Sequence, residues 1–243
     1  MEFCCGEKGL INLMKHKVLV VAAHPDDEIL GCGGTIIKHC KNGDEVRILI
    51  MAEGLTSRGM QRDVVGNSKA LEKLHANSHK AGQLMGVSEV KLQSFPDNRM
   101  DSVDLLDVVK QIEIVVDEYK PDIVYTHHAG DVNIDHKITH EAVVTACRPL
   151  PGQCVKTLLF FETVSSTEWQ MPVADKAFRP NWFVDIAEEF DKKIEALKCY
   201  ESEMREYPHS RSYEAVKMLA NYRGFCVGKE YVEAFEVGRN VIN

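Results

Sequence analysis

No hydrophobic run in this chain approaches the roughly 18 to 20 residues that a membrane-spanning helix needs. The N-terminus also lacks the apolar core of a secretory signal, so a soluble, cytoplasmic protein is expected, with residues 1–15 left as a candidate leader. A basic excess is missing as well: 29 Lys and Arg stand against 37 Asp and Glu, for a net charge of −8. Without a clustered basic face to follow a phosphate backbone, nucleic acid is not expected as a partner. The eight cysteines (Cys4, Cys5, Cys32, Cys40, Cys147, Cys154, Cys199 and Cys226) show no CxxC spacing. They read as reduced, mostly buried thiols, which excludes a disulfide scaffold. Repeats, low-complexity linkers and composition breaks are also lacking, so the 243 residues are expected to form one domain, residues 150–243 supplying substrate-pocket and closing elements. With 44% hydrophobic and 27% charged residues the chain matches globular averages, not disordered or fibrous ones.

What the chain does have is alternation. Lys17 to Ala23 is a continuous, largely β-branched run suited to a strand buried on both faces, and it leads straight into His24-Pro25-Asp26-Asp27-Glu28. Gly31, Gly33 and Gly34 then open a short amphipathic helix over Thr35–Cys40, closed by Asn42-Gly43. A second strand at Glu45–Met51 completes a βαβ unit. The pattern goes on to predict a helix over Ser68–Met85, a strand over Glu89–Leu92 and a helix over Val103–Tyr119, the last with Leu105, Leu106, Val109, Ile112 and Val116 at helical spacing. A strand over Pro121–Thr126 and a helix over Lys137–Cys147 follow. Beyond Pro149 the expected elements are a strand over Thr157–Thr163, a loop from Pro172 to Pro180, and helices over Ile186–Tyr200 and Ser212–Tyr222. The fold class is therefore α/β, a Rossmann-like, mainly parallel sheet flanked by helices.

Two polar clusters fall at the carboxyl ends of predicted parallel strands, where open α/β sheets form their ligand crevice. The first is His24 with Asp26, Asp27 and Glu28; the second holds His127, His128, Asp131, Asn133, Asp135 and His136. Together they can offer two imidazoles and a carboxylate to one divalent ion while leaving a position open for water, and His24, Asp27 and His136 are the candidate ligands. The three glycines permit a phosphate-binding reading, but full GxGxxG spacing is missing and the preceding turn is acidic, so they read as close helix packing. His39, His75 and His79 fall on predicted helices and read as packed or solvated, and Trp169 and Trp182 as packing or pocket wall.

The string Ala23-His24-Pro25-Asp26-Asp27-Glu28, with Asn133-x-Asp135-His136 downstream, resembles the PIG-L/LmbE family of metal-dependent N-deacetylases. Phe95-Pro96-Asp97-Asn98 and the strand leading to His127 support the resemblance, which runs from Val18 to about Cys147. It implies one zinc ion per chain on His24, Asp27 and His136, with Fe2+ the other candidate ion, and Asp26 as general base. It also implies an N-acetylated amino sugar or glycoconjugate as substrate, with a homo-oligomer as a candidate assembly. One departure matters: many members carry a His where Asn133 stands, to stabilise the oxyanion. Either the Asn133 carboxamide takes that task or His127, His128 or His209 supplies an imidazole.

The reaction expected on this basis is attack of activated water on an acetamide, releasing acetate and a free amine. Asp97, Asn98, His209 and the loop arginines Arg58, Arg99 and Arg211 are candidate substrate-binding residues. A guanidinium fork suits phosphate, which brings in sugar nucleotides and phosphorylated glycans as substrates. The alternatives are an amidase for a larger N-acyl or thiol conjugate, a non-haem iron oxygenase built on two His and one carboxylate, and a non-catalytic sugar- or nucleotide-binding module.

Overall fold

The computed structural model describes residues 15–171 and 173–242, so the Cys4-Cys5 pair and all but the last residue of the candidate leader lie outside the described residues. Five parallel strands carry the first two-thirds of the chain: β1 (Lys17–Ala22), β2 (Glu45–Ala52), β3 (Glu89–Phe95), β4 (Ile123–His127) and β5 (Thr157–Phe161). Two more, β6 (Trp182–Asp185) and β7 (Val232–Asn240), extend the sheet, β7 running antiparallel to both β5 and β6. The strand order is β3-β2-β1-β4-β5-β7-β6. The chain moves outward from β1 to β3 and then returns to place β4 on the other side of β1. That reversal opens a crevice above the carboxyl ends of β1 and β4, the usual ligand position in open α/β sheets.

The helices are α1 (Asp27–Asn42), α2 (Ser68–Met85), α3 (Leu105–Tyr119), α4 (Ile134–Ala146), α5 (Phe190–Leu197) and α6 (Tyr213–Phe225). Alternate residues of β1 feed opposite layers. Val18 and Val20 pack with Ile29 and Ile36 of α1 and Ala196 and Leu197 of α5, while Leu19 and Val21 pack with Val109 and Ile112 of α3 and Val143 of α4. All four strand residues are fully buried, which is why this strand reads as an unbroken apolar run. None of the described helices is long and apolar enough to cross a membrane. Among the described cysteines, all free, only Cys32 and Cys147 are buried; Cys226 is exposed and the rest are half-buried, which corrects the expectation of mostly buried thiols.

The largest difference from the sequence expectation lies in α1, which begins at Asp27 instead of Thr35 and carries the glycines inside it. A Cβ on Gly31 would stand 2.3 Å from the Phe161 ring, and one on Gly34 would stand 2.7 Å from Ile186, so these positions let the helix lie against the sheet and the segment before α5. The helix is interrupted at Cys32, whose backbone is non-helical (φ −149°, ψ 24°). The Glu233 carboxylate of β7 fills the break, accepting from the N–H groups of Gly34 (2.8 Å) and Thr35 (2.7 Å) as an N-cap would, although it lies some 200 residues away in sequence. Lys193 of α5 completes the splice, donating to Glu233 (2.7 Å) and to the Leu30 carbonyl (3.1 Å).

Strands β6 and β7 were not expected. Charged residues at Glu233, Glu236 and Arg239 break any apolar run in β7, and β6 has four residues at the sheet edge. The helix expected from Ile186 begins only at Phe190, and its last part is a tighter turn over Lys198–Glu203. Because Lys193 and Glu233 are both nearly fully buried, Lys193→Met leaves an uncompensated carboxylate inside the protein. It is expected to lower unfolding free energy by about 3–5 kcal/mol in denaturant titration; a loss under about 1 kcal/mol would show that the splice contributes little.

Candidate metal centre

Where β1 ends, the chain turns at His24-Pro25-Asp26 and enters α1. Asp26 stands at the N-cap position in the left-handed region (φ 110°) without capping the helix with its side chain. This conformation is costly for a non-glycine residue and sends neighbouring carboxylates to different partners. Asp27, with no exposed surface, meets His24 Nδ1 at 3.1 Å and His136 Nε2 at 3.1 Å through the same oxygen. Asp26 instead accepts from Arg211 Nη1 at 2.9 Å. His136 arrives in the first turn of α4, whose N-cap is Asn133, with Asn133 Oδ1 accepting from the Asp135 N–H at 2.8 Å.

His24, Asp27 and His136 can bring one donor atom each to within 4.8 Å of one another. Asp27 Oδ1 and His136 Nε2 are buried with no hydrogen-bond partner among the described residues. The 3.1 Å approach of His136 Nε2 to Asp27 therefore lacks hydrogen-bond alignment, as expected of donors turned toward a common third point. Two imidazoles and a carboxylate also form a donor set that suits a divalent ion with an open position.

The far side of each imidazole is held by another carboxylate. His24 Nε2 bonds Asp135 at 3.0 Å and lies 3.4 Å from Asp97; His136 Nδ1 lies 3.0 Å from Asp131. Asp135 is itself fixed by the backbone N–H groups of Asn98 (2.6 Å) and Met100 (2.9 Å). Asp131 accepts from the Asn133 N–H (2.9 Å), from Thr167 Oγ1 (2.9 Å) and from Ser166 Oγ. Such carboxylate–imidazole pairs choose the tautomer and aim the free nitrogen.

Charge balance gives a second measure of the site. Burial opposes the charged form of His24 and His136, yet the surrounding carboxylates outweigh it, raising His24 well above its usual value and His136 to about 9. Asp27, despite burial, is held well below the carboxylate range by its imidazole neighbours. The cluster has an excess of negative charge that positive charge must answer. Asp26 behaves differently: burial lifts it, Arg211 opposes the lift, and it settles at about 7. Glu28, which accepts from the Asp26 N–H (3.0 Å) and from the Tyr200 hydroxyl (2.8 Å), is raised by burial to about 8.

The remaining site candidates divide clearly. Asp97 and Asn98 adjoin the cluster, Asn98 with φ 52° and its side chain accepting from Asn133 Nδ2 at 2.9 Å. His209 accepts from the Arg211 N–H (3.0 Å) and faces Trp169 edge-on. His128 is turned away, with Nδ1 on Glu236 (2.7 Å) and Nε2 on the Lys176 carbonyl (3.0 Å). Its neighbour His127 is the inward residue, but Nε2 accepts from the Ala23 N–H (2.8 Å) and Nδ1 meets Thr163 Oγ1 (3.3 Å). It is buried, held neutral by burial and stacked on His136. His127 is thus a brace between β1, β4 and the site. Arg58 pairs with Glu203, while Arg99 is exposed and among the described residues reaches only the Met60 carbonyl, so no phosphate clamp forms there from the three arginines. Asp131 and Asp135 carry more of the site than their sequence position announced: Asp131 stands five residues before the His136 it holds, but Asp135 holds His24, 111 residues away, and the signal available was only their place in the second polar cluster.

The fold and site define a mainly parallel α/β protein with a candidate metal centre in the crevice at its strand ends. The sequence pattern of PIG-L, described as GlcNAc-PI de-N-acetylase, matches residues 19–147, and the chain belongs to that family. It is 28% identical over 192 residues to a probable N-acetyl-alpha-D-glucosaminyl L-malate deacetylase 2 of Bacillus cereus, covering 78% of this chain and 84% of the relative. It is 27% identical over 242 residues to the diacetylchitobiose deacetylase of Thermococcus kodakarensis, covering 89% of this chain and 81% of that one. Among solved structures, GalB, the 4-carboxy-2-hydroxymuconate hydratase of Pseudomonas putida KT2440, superposes with a TM-score of 0.74 at 20% identity over 95% of this chain and 98% of its own; this likeness concerns the fold alone.

His136→Ala is expected to abolish bound divalent metal in elemental analysis of protein purified without chelator. Asp131→Ala, which frees the far side of the same ring, should weaken metal affinity by about 10- to 100-fold. Full occupancy in His136→Ala would move the ion to other donors.

Proposed function

We propose that this chain is a metal-dependent hydrolase that removes the N-acetyl group from an N-acetylated amino sugar. The observation that carries the reading is the divergence of Asp26 and Asp27: adjacent buried carboxylates, one set among imidazoles as a ligand, the other left near neutrality in its proton affinity. His24, Asp27 and His136 would hold a divalent ion, zinc by donor type and Fe2+ as the second candidate, which would supply Lewis acidity to a water molecule and to the acetamide carbonyl.

The chain's own groups do the rest. Asp26 accepts the proton of the attacking water and returns it to the departing amine, work suited to a carboxyl whose proton affinity lies near ambient pH. Glu28 holds the Asp26 backbone in its left-handed turn through the 3.0 Å bond to its N–H. Asp131 and Asp135 keep the two imidazoles aimed at the ion. Asn98 and Asn133, bonded to each other at the rim, present carboxamides suited to sugar hydroxyls. Acetate and a free amino sugar are the products.

The arginine pairings narrow the substrate. With Arg58 and Arg211 both answered by carboxylates, the crevice favours an uncharged N-acetylglucosamine glycoside over a nucleotide or phosphorylated form, in place of the anionic substrate expected from the arginine content alone. The same pairing disfavours hydration of a polycarboxylate, the chemistry named for the structurally similar GalB. The α/β fold likewise disfavours the iron-oxygenase alternative, whose triad belongs on an all-β scaffold.

Acetate release from a panel of N-acetylated sugars is the direct test. Asp26→Asn should retain metal and fold yet lose about 10²- to 10⁴-fold in kcat, whereas Asp27→Asn should lose metal; equal behaviour of the two would remove the division of labour. In the same panel, neutral glycosides should show higher kcat/KM than their phosphorylated counterparts, and the opposite order would return the arginines to substrate binding.

A further inference from the structure

We propose that Arg211 is a catalytic residue of this site, its guanidinium stabilising the negative charge that develops on the acetamide oxygen. The inference rests on the deacetylase reading above and adds to it a protein donor for the developing oxyanion, beside the Lewis acidity a bound ion would supply.

Arg211 is placed with unusual firmness for a loop residue. Its N–H donates to His209 Nδ1 (3.0 Å), its carbonyl accepts from the Arg205 N–H (3.0 Å), and the next residue, Ser212, caps α6 by accepting from the Ala215 N–H (3.1 Å). Along the side chain, Nε donates to Ser165 Oγ (3.0 Å) and Nη1 to Asp26 Oδ2 (2.9 Å). Among the described residues Nη2 has no hydrogen-bond partner. The guanidinium is therefore held on two sides, through Nε and Nη1, and Nη2 between them keeps its donors free. Because Asp26 must lie within a hydrogen bond of the attacking water to take its proton, a group bonded to Asp26 stands beside the reacting atoms.

The other donors near the site are neutral or largely committed. Asn133 uses its oxygen on the Asp135 N–H and one amide hydrogen on Asn98, and His209 Nδ1 accepts from the Arg211 N–H; neither brings the fixed positive charge of a guanidinium. Both ring nitrogens of His127 and of His128 are engaged. Of the carboxylates Asp26, Asp27, Asp97, Asp131 and Asp135, Asp26 is the one that pairs with an arginine or lysine among the described residues, and Arg211 is that partner. Stability is a poor reason for the pair, since desolvating two ions commonly cancels their attraction. A mere counterion for Asp26 would also have no use for the planar fork, with its second bond to Ser165 and its unpaired Nη2. Preorganised donors aimed at developing charge, in contrast, need this rigidity.

The test compares wild type, Arg211→Ala and Arg211→Lys in acetate release from a neutral N-acetylglucosamine glycoside, with metal content and thermal unfolding measured on the same preparations. Arg211→Ala should lose about 10²- to 10³-fold in kcat, as removal of an oxyanion donor does, with KM within about threefold of wild type. Metal content should be unchanged. Millimolar guanidinium should restore part of the lost kcat in Arg211→Ala and have no such effect on wild type, and Arg211→Lys should fall between the two. A phosphonamidate mimic of the tetrahedral species should lose affinity for Arg211→Ala by the factor that kcat/KM loses. A raised KM with intact kcat, or a kcat loss that tracks metal loss or unfolding and ignores guanidinium, overturns the proposal. Wild type that releases no acetate from any N-acetylated sugar overturns the deacetylase reading itself; an active wild type with an equally active Arg211→Ala overturns the role of Arg211 alone.

Discussion

A single carboxylate with no access to solvent, Asp27, sits where imidazoles from the two ends of the motif-bearing region converge. Burying that charge is costly unless positive charge answers it, and the cost explains much of the architecture around it. The β1 and β4 ends must be adjacent for His24 and His136 to reach it, so the strand reversal between them is a condition of the site. The two rings must also be aimed, hence Asp131 and Asp135 behind them. Those carboxylates in turn need donors, which come from the Asn98 and Met100 backbone and from Ser166 and Thr167. Each layer satisfies the polar demand created by the one inside it.

The neighbouring Asp26 shows how one backbone torsion divides two like residues. Had it adopted the extended backbone usual at an N-cap, its carboxylate would have been placed to cap the helix, where the partial positive charge of the N-terminus would favour its ionised form. The left-handed turn instead delivers it to Arg211, from a loop 185 residues away, in a buried setting that raises its proton affinity. The proposed ligand and the proposed proton carrier thereby share a dipeptide without sharing an environment.

Much of this was legible in the chain. The apolar run of β1 and the α3 stripe announce themselves by period, and the His24-to-Glu28 string marks the crevice because carboxylates clustered at a strand end have little structural purpose. The choice between His127 and His128 was not legible, since adjacent strand residues face opposite sides and a one-residue ambiguity in the strand end exchanges them. The β7 strand was hidden for a related reason: Glu233 and Glu236 serve partners in α1 and beside His128, so its pattern is not that of a simple buried strand. Arg58 and Arg211 read alike as loop arginines, and only tertiary contact separates one paired with Glu203 from one paired with Asp26. Local pattern carries period and composition; it carries no information on which distant group answers a buried charge.

The interruption of α1 at Cys32 bears on how the molecule can be divided. The region that matches the family ends at residue 147, yet the second half of α1 within it begins on a carboxylate supplied by Glu233 and a lysine supplied by residue 193. A fragment cut at the end of the match would expose Phe161's place against Gly31 and leave the Gly34 and Thr35 amides unanswered beneath the turn that carries Asp26 and Asp27. The recognisable motifs therefore do not make a transplantable module. Grafting this chemistry onto another α/β scaffold would require carrying over the terminal antiparallel strand along with the His-Pro-Asp-Asp turn, because the motif's geometry is anchored from the far end of the polypeptide.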